Sequence, residues 1–309
     1  MKRLFIILSV GLAALSCGSR SGRFKVDIDK ALKKRVDARE FYSEASTIPL
    51  RFSVPTTPGR EISLLDVAAD RFFLLDKEKN EILVFDWNGE SVTTISVADT
   101  VIDFSVYRDR VLDVLTEDAI TEYSTTDGAF LAKYPIRDLD VMLKRVARVT
   151  EDSIFMLGTQ DGYANDCSYS INKNRFYPAA RPAPDYLSTH AFVPASECQN
   201  SRFFRCDGIV YSFGTRSGQI ARYADDYFIS VPYQWDFGKR APVFTNAQKT
   251  TQKIYFAFTL DGKDYVLVYN LDNRKYKVAD YDTFPLGVIY AGRNYYFSPA
   301  DRAIICHTL

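Results

Sequence analysis

The chain has 309 residues, 47% of them hydrophobic and 14% aromatic, and its 39 Lys and Arg balance 39 Asp and Glu. A chain of that size buries a large core, and all-β folds commonly run past about 200 residues as one unit, so length alone does not divide it. The charge balance excludes a nucleic-acid binder. No basic stripe is present, and the densest basic cluster, Lys30 to Arg39, is offset by Asp29, Asp37 and Glu40; it reads as a solvated tether or a short helix.

The first seventeen residues carry an address. Lys2 and Arg3 precede an apolar run from Leu4 to Leu15, which ends in Ala14-Leu15-Ser16-Cys17. The run is too short for the roughly 20 residues a spanning helix needs, so it is read as a removable export signal, residues 1–16. Small residues before a cysteine give a lipoprotein signal, with Cys17 as the lipidated N-terminus; a plain secretory signal is the alternative. Removing residues 1–16 leaves 37 Lys and Arg against 39 Asp and Glu, a net charge of −2. Residues 17–46 are expected to be a lipidated tether that begins with the flexible Gly18-Ser19-Arg20-Ser21-Gly22. That start lacks an acidic run, which favours the periplasmic face of the outer membrane over the cell surface.

From residue 47 the texture is that of short strands. Ile62 to Val67, Arg71 to Asp76, Glu81 to Phe85 and Ser91 to Ser96 form one set, with Asn88-Gly89 as a hairpin turn. Val101 to Val106, Arg110 to Leu115, Ala119 to Tyr123 and Ala129 to Tyr134 repeat the order, and Phe85 and Tyr123 hold equivalent places 38 residues apart. A third copy starts near Arg145 and leads into a Pro-rich insertion at Tyr177 to Pro184. Three looser copies follow, through Gly208 to Tyr233, Lys253 to Ala279 and Leu286 to His307. Four strands recurring about every 40 residues predict the blades of a β-propeller, and residues 47–309 hold six of them. Thr47 to Phe52 is expected to pair with the final blade and close the ring. A β-sandwich is the alternative fold.

Three stretches carry a family likeness: Ile48-Pro49-Leu50; Phe73-Leu74-Leu75-Asp76 with Ile82 to Gly89; and Tyr233-Gln234-Trp235-Asp236-Phe237-Gly238-Lys239. With the lipobox and the repeats, the chain resembles the six-bladed, NHL-like β-propeller lipoproteins of Gram-negative gut-type bacteria. The resemblance implies an envelope location and a propeller after the tether, and implies no reaction. The chain departs from that group at Ser96-Val97-Ala98-Asp99-Thr100, which is short where the group often carries a Gly-Pro-Gly-Glu-Tyr type loop.

Catalytic signals are sparse. Asp66, Asp103 and Asp207 are candidates for a hard cation at the channel, against the plainer reading of turn carboxylates, and no metal site is assigned. His190 and His307 lack a nucleophile elbow, and no Gly-rich phosphate loop is present. Export permits disulfides; Cys198 and Cys206 are close enough to close a short loop, while Cys167 and Cys306 leave other pairings open. Aromatic and Arg residues concentrate around the insertion, where Phe176, Tyr177, Arg181, Tyr186 and Arg202 are the candidate binding residues. These readings lead to a monomeric, lipid-anchored, non-enzymatic binding module for an envelope protein or glycan, without a cofactor. The competing reading is a metal-dependent hydrolase or lyase that uses the channel.

Overall fold

In a strand whose two faces both pack against neighbours, every residue is wanted apolar, whereas a rim strand keeps the alternation of a half-wetted sheet. Both textures are present. Arg71–Asp76 and Glu81–Asp86 are buried almost throughout, while Ser91–Ser96 and Phe130–Pro135 alternate exposed and half-buried positions. The computed structural model describes residues 23–52, 62–68, 70–137, 139, 142–160, 163–178, 202–206, 209–213, 218, 220–224, 227–240 and 242–309.

The chain enters through β1 (Arg23–Lys25), a short helix α1 (Ile28–Lys33), a 3-10 turn at Ala38–Glu40 and β2 (Glu44–Pro49). It then builds sheets in sequence. The first is β3 (Ile62–Ala68), β4 (Arg71–Asp76), β5 (Glu81–Asp86) and β6 (Ser91–Ser96); the second is β7 (Asp103–Tyr107), β8 (Val111–Leu115), β9 (Ala119–Ser124) and β10 (Phe130–Pro135). The third is β11 (Met142–Thr150), β12 (Ser153–Gln160), β13 (Tyr163–Ser170) and β14 (Arg175–Pro178). The fourth holds β15 (Arg202–Cys206), β16 (Ile209–Phe213), β17 (Ile220–Ala224) and β18 (Tyr227–Asp236), and the fifth β19 (Val243–Lys249), β20 (Lys253–Leu260), β21 (Lys263–Asn270) and β22 (Tyr276–Asp280). In the last, β23 (Val288–Tyr290), β24 (Arg293–Ser298) and β25 (Ala303–Thr308) take β2 as their outer strand. This is an all-β propeller of four-stranded antiparallel blades. Five sheets have the expected four-stranded form. The sheet of β15 to β18 departs from it, because β1 adds a fifth strand parallel to β18.

The first strands touch in succession, β3 with β7, β7 with β11, β11 with β15, β15 with β19 and β19 with β23, and β23 returns to β3. Successive residues of one strand therefore serve different interfaces. Phe72 and Leu74 of β4 bury with Tyr295 and Ile304 of the last sheet, while Phe73 and Leu75 bury with Phe104 and Val106 of the second. In β20, Ile254, Phe256 and Phe258 face the fourth sheet, and Tyr255 and Ala257 face the last. At about 25 cal/mol per Å2 of apolar area, such double-sided burial supplies most of the stabilisation, and no sheet obtains it alone.

The N-terminal segment corrects the sequence reading. The expected tether, residues 17–46, is folded from Arg23 onward: Val26, Ile28, Ala31, Ala38 and Phe41 are buried, since their apolar side chains close gaps on the rim. The basic cluster forms the short helix alternative, capped by the Asp27 carboxylate, which accepts from Lys30 N at 3.0 Å. Phe24 packs on Trp235 and Tyr269 with ring centroids 5.1 and 5.4 Å apart, and Val36 N donates to Val278 O. The expected pairing of residues 47–52 with the final sheet holds through Pro49. It starts earlier, at Glu44 opposite Thr308, and aligns Ile48 with Ile304. One segment thus straps the outer edges of three successive sheets.

The Asn88-Gly89 turn shows how tightly this strap is seated. Gly89 has φ +78°, and a Cβ there would lie 2.0 Å from Pro49 O, while Arg51 N donates to Gly89 O at 2.7 Å. We expect Gly89→Ala to destabilise the fold by about 3 kcal/mol, combining a left-handed backbone with a steric clash. Thermal unfolding against wild type checks it; an unchanged melting temperature contradicts the seating of β2 on that turn.

Candidate functional site

Among the described residues, the interface between the second and third sheets holds a buried ionic cluster. Its lower part is apolar, formed by Leu115, Ile120, Leu143, Val146, Ile154, Met156 and Tyr169. Its upper part is ionic. Asp113 interrupts the apolar run of β8 and is fully buried; Arg148 of β11 lies opposite at 4% exposure. The Arg148 fork closes on Asp113 bidentately, Nε to Oδ2 at 2.9 Å and Nη2 to Oδ1 at 2.6 Å, and Nη2 also reaches Glu122 of β9. Tyr134 of β10 donates to Glu122 Oε1 at 2.8 Å, and Arg148 Nη1 donates to Glu151 O at 3.2 Å.

Burial opposes the charge on Arg148, but hydrogen bonds and attraction from Asp113 and then Glu122 more than offset it and raise its pKa. Tyr134 is pushed up by burial and by its bond to the Glu122 carboxylate, so it stays a neutral donor. Two carboxylates thus converge on one buried guanidinium. Such a group is costly to desolvate, and its partners must all be present for it to be tolerated.

Above it opens a cleft of about 410 Å3 lined by Tyr107, Arg108, Arg110, Val111, Arg148 and Glu151. Two hairpin turns form its rim, β7 to β8 and β11 to β12. Arg108 (φ 45°) and Asp109 (φ 56°) both adopt left-handed backbone in the first. Buried Thr125, from the turn between β9 and β10, holds that strained pair: its Oγ1 donates to Asp109 O at 2.7 Å and its N to Arg110 O at 3.1 Å. Arg108 crosses to the third sheet and pairs with Glu151 at 2.7 Å, both side chains being largely exposed. Arg108 and Arg148 lie 5.1 and 5.8 Å from the Tyr107 ring centroid. The Tyr107 hydroxyl is buried with no hydrogen-bond partner among the described residues, and no partner engages the Arg110 guanidinium there either. A buried unpaired hydroxyl costs about 1–3 kcal/mol, which a ligand acceptor would recover.

The residues singled out from sequence lie elsewhere. Asp66 and Asp103 sit on inner strands and bind backbone: Asp66 Oδ2 accepts from Val106 N at 3.1 Å and Asp103 Oδ2 from Val146 N at 3.0 Å, each on the next sheet. Asp207 falls outside the described residues, among which no group of three or more His, Cys, Asp or Glu is placed to hold a metal. Phe176 is half-buried in β14 and packs on Tyr169 at 4.6 Å, an interior role in place of the expected exposed one. Tyr177 follows it in β14, and Arg202 opens β15 in register with Phe213. Arg181, Tyr186, His190, Cys198 and Cys17 lie outside the described residues. Cys206 is buried with its sulfur 3.8 Å from Lys249 Nζ, and Cys306 is a free buried thiol. His307 is buried between Tyr42 and Phe284, 4.1 and 5.2 Å between centroids, which is a packing position. The floor of the cleft had one available signal: an Asp centred in Val111-Leu112-Asp113-Val114-Leu115 needs a cation or other hydrogen-bond donor to meet it in a doubly buried strand.

Comparison with solved structures shows the fold. A protein of Bacteroides fragilis, whose given name proposes that it is exported, aligns with a TM-score of 0.66 at 10% identity over 92% of this chain and 98% of its own. A virginiamycin B lyase from Staphylococcus aureus aligns at 0.54 and 10% identity over 86% of this chain and 99% of its own. A member of the DUF4221 family from Bacteroides vulgatus aligns at 0.52 and 8% identity over 86% and 96%. No family model matches the chain, and no curated protein matches it by sequence. Identities this low carry architecture and no activity.

Two outcomes follow from the site. Asp113→Asn should destabilise by about 3 kcal/mol because Arg148 loses a buried partner, whereas replacing Asp113, Glu122 and Arg148 together by Leu, Leu and Met should recover most of that loss; urea unfolding of the three proteins checks it. Burial lowers the pKa of His307 from 6.5, so below that pH the unfolded chain takes up a proton that the folded one refuses. Stability should therefore fall as pH drops from 7.5 to 5.5, less steeply in His307→Phe, read as melting temperatures at both pH values.

Proposed function

We propose that this protein is a lipid-anchored, six-bladed propeller of the cell envelope that serves as a non-enzymatic binding module, with the cleft between the second and third sheets as its ligand site. The observation that carries the reading is the pairing of an unpartnered Tyr107 hydroxyl with an unengaged Arg110 in one cleft. The reading of six blades takes its support from the five four-stranded sheets together with the sheet extended by β1. The partner is an envelope protein or glycan that presents a small group to the cleft.

Envelope location is supported by the Lys2 to Cys17 signal and by the likeness to a protein whose name proposes export. Among the described residues no helix is long and apolar enough to cross a membrane. Arg23 already lies in β1, six positions after Cys17. At about 3.5 Å per residue the link spans at most roughly 20 Å, which holds the edge of the fourth sheet close to the lipid. Two acyl chains or more suffice for stable anchoring.

Cys17→Ser should release the protein from the membrane fraction with its melting temperature unchanged, and retention of the variant would remove the anchor from the reading. A photo-crosslinking residue at position 110 in the anchored protein should capture a ligand or partner that the same residue at Lys275, on the fifth sheet, does not. Equal capture at both positions counts against the cleft.

A further inference from the structure

Resting on the cleft reading above, we infer that its ligand is a small carboxylate bearing a second oxygen function, as in hydroxy acids and sugar acids, and that Glu151 is an internal carboxylate displaced when that ligand binds. The cleft volume of about 410 Å3 suits a small molecule. Its mouth presents two arginines, Arg108 and Arg110, on one strained turn whose backbone Thr125 locks from behind, so the turn itself is in place before any ligand arrives. A planar guanidinium fork matches a carboxylate, and Arg108 already holds one: Glu151 Oε1 is 2.7 Å from its Nη1. That pair is exposed, and exposed pairs are weak and screened, so an incoming carboxylate exchanges for Glu151 at little cost.

The floor decides how the ligand lies. Every Arg148 nitrogen is already engaged, by Asp113, Glu122 and the Glu151 carbonyl. The ligand carboxylate is therefore held at the mouth by Arg108 and Arg110 and kept away from Arg148. The other donor is Tyr107, which lines the cleft and is nine-tenths buried; its hydroxyl has no partner among the described residues and wants an acceptor such as a hydroxyl or carbonyl oxygen. A carboxylate alone leaves it unmet; a hydroxy carboxylate meets both ends.

The test is a titration of the full chain at constant ionic strength with glucuronate, acetate, inorganic phosphate and glucose, read by calorimetry or ligand-observed magnetic resonance. Glucuronate should bind saturably and about tenfold more tightly than acetate, with glucose failing to bind. Glu151→Gln, an exposed position, should tighten glucuronate about fivefold by freeing Arg108, and Arg110→Gln should weaken it tenfold or more. Tyr107→Phe should erase most of the preference for glucuronate over acetate, with melting curves showing each variant folded. Absence of saturable glucuronate binding to both wild type and Glu151→Gln, indifference to Arg110→Gln, or phosphate or glucose binding at least as tightly as glucuronate would each overturn the assignment. Should the titrations fail while crosslinking at position 110 still captures a partner, the ligand class falls and the cleft stands; failure of both removes the cleft.

Discussion

A propeller's sheets radiate from a channel, so each first strand is hydrogen-bonded on one side only, and the N–H groups on its other side have no strand to meet. Side chains from the preceding sheet meet them here. Asp66 accepts from Val106 N, Asp103 from Val146 N and Gln248 Oε1 from Ile289 N, the last at 3.1 Å, with partners 40, 43 and 41 residues apart. That separation is one repeat, so each bond joins a sheet to its successor. Asn246 adds two more, its Nδ2 donating to Leu286 O and Gly287 O at 2.8 and 2.9 Å. These bonds set the distance and angle between sheets, and the aromatic and aliphatic clusters fill the wedge that remains.

Given that frame, the second and third sheets spend part of their shared surface on charge. Among the described residues, the wedges on either side of the fifth sheet and between the last and first sheets are filled mainly by aromatic and aliphatic side chains. At Asp113, Glu122 and Arg148 the same wedge holds ions that must be desolvated, an arrangement that apolar residues of equal volume would match or better for stability. What the ions provide is a rigid polar floor: Arg148 is held by three acceptor groups and cannot swing. The cleft above it therefore combines a fixed base with a turn whose left-handed residues are also held, by Thr125, and preorganisation of this kind is what binding small ligands rewards.

The N-terminal strap connects fold to location. By adding β1 to the fourth sheet, packing α1 and the 3-10 turn on the fifth and pairing β2 into the last, it ties three sheets along their rim. A pull on residue 22 would load β1 first, through the parallel pairing of Arg23 to Lys25 with Gln234 to Asp236. The seat of that strand is Trp235, in the stretch Tyr233 to Lys239 that the sequence already marked as distinctive.

The strands were legible because a doubly buried strand and a rim strand each impose a residue pattern that needs no knowledge of the partner. Asn88-Gly89 was legible for a similar local reason, since its backbone demands glycine. The cleft was not, because Tyr107, Asp113, Glu122 and Arg148 come from four strands of two sheets, and nothing in their spacing says that they meet. Asp66 and Asp103 looked like cation ligands because a carboxylate near a strand end reads the same whether it faces a metal or an amide; only the neighbouring sheet makes it a backbone acceptor. Residues 23–46 read as polar tether because their scattered apolar side chains, among them Phe24, Val26, Ile28, Ala31, Ala38 and Phe41, lack period and pack only against the finished rim. Sequence by itself determined the repeated four-strand unit, whose rules are local. The seating of β1 and α1 on the rim, the stapled inner strands and the ionic floor were decided by tertiary structure, because each is a contact between segments distant in the chain.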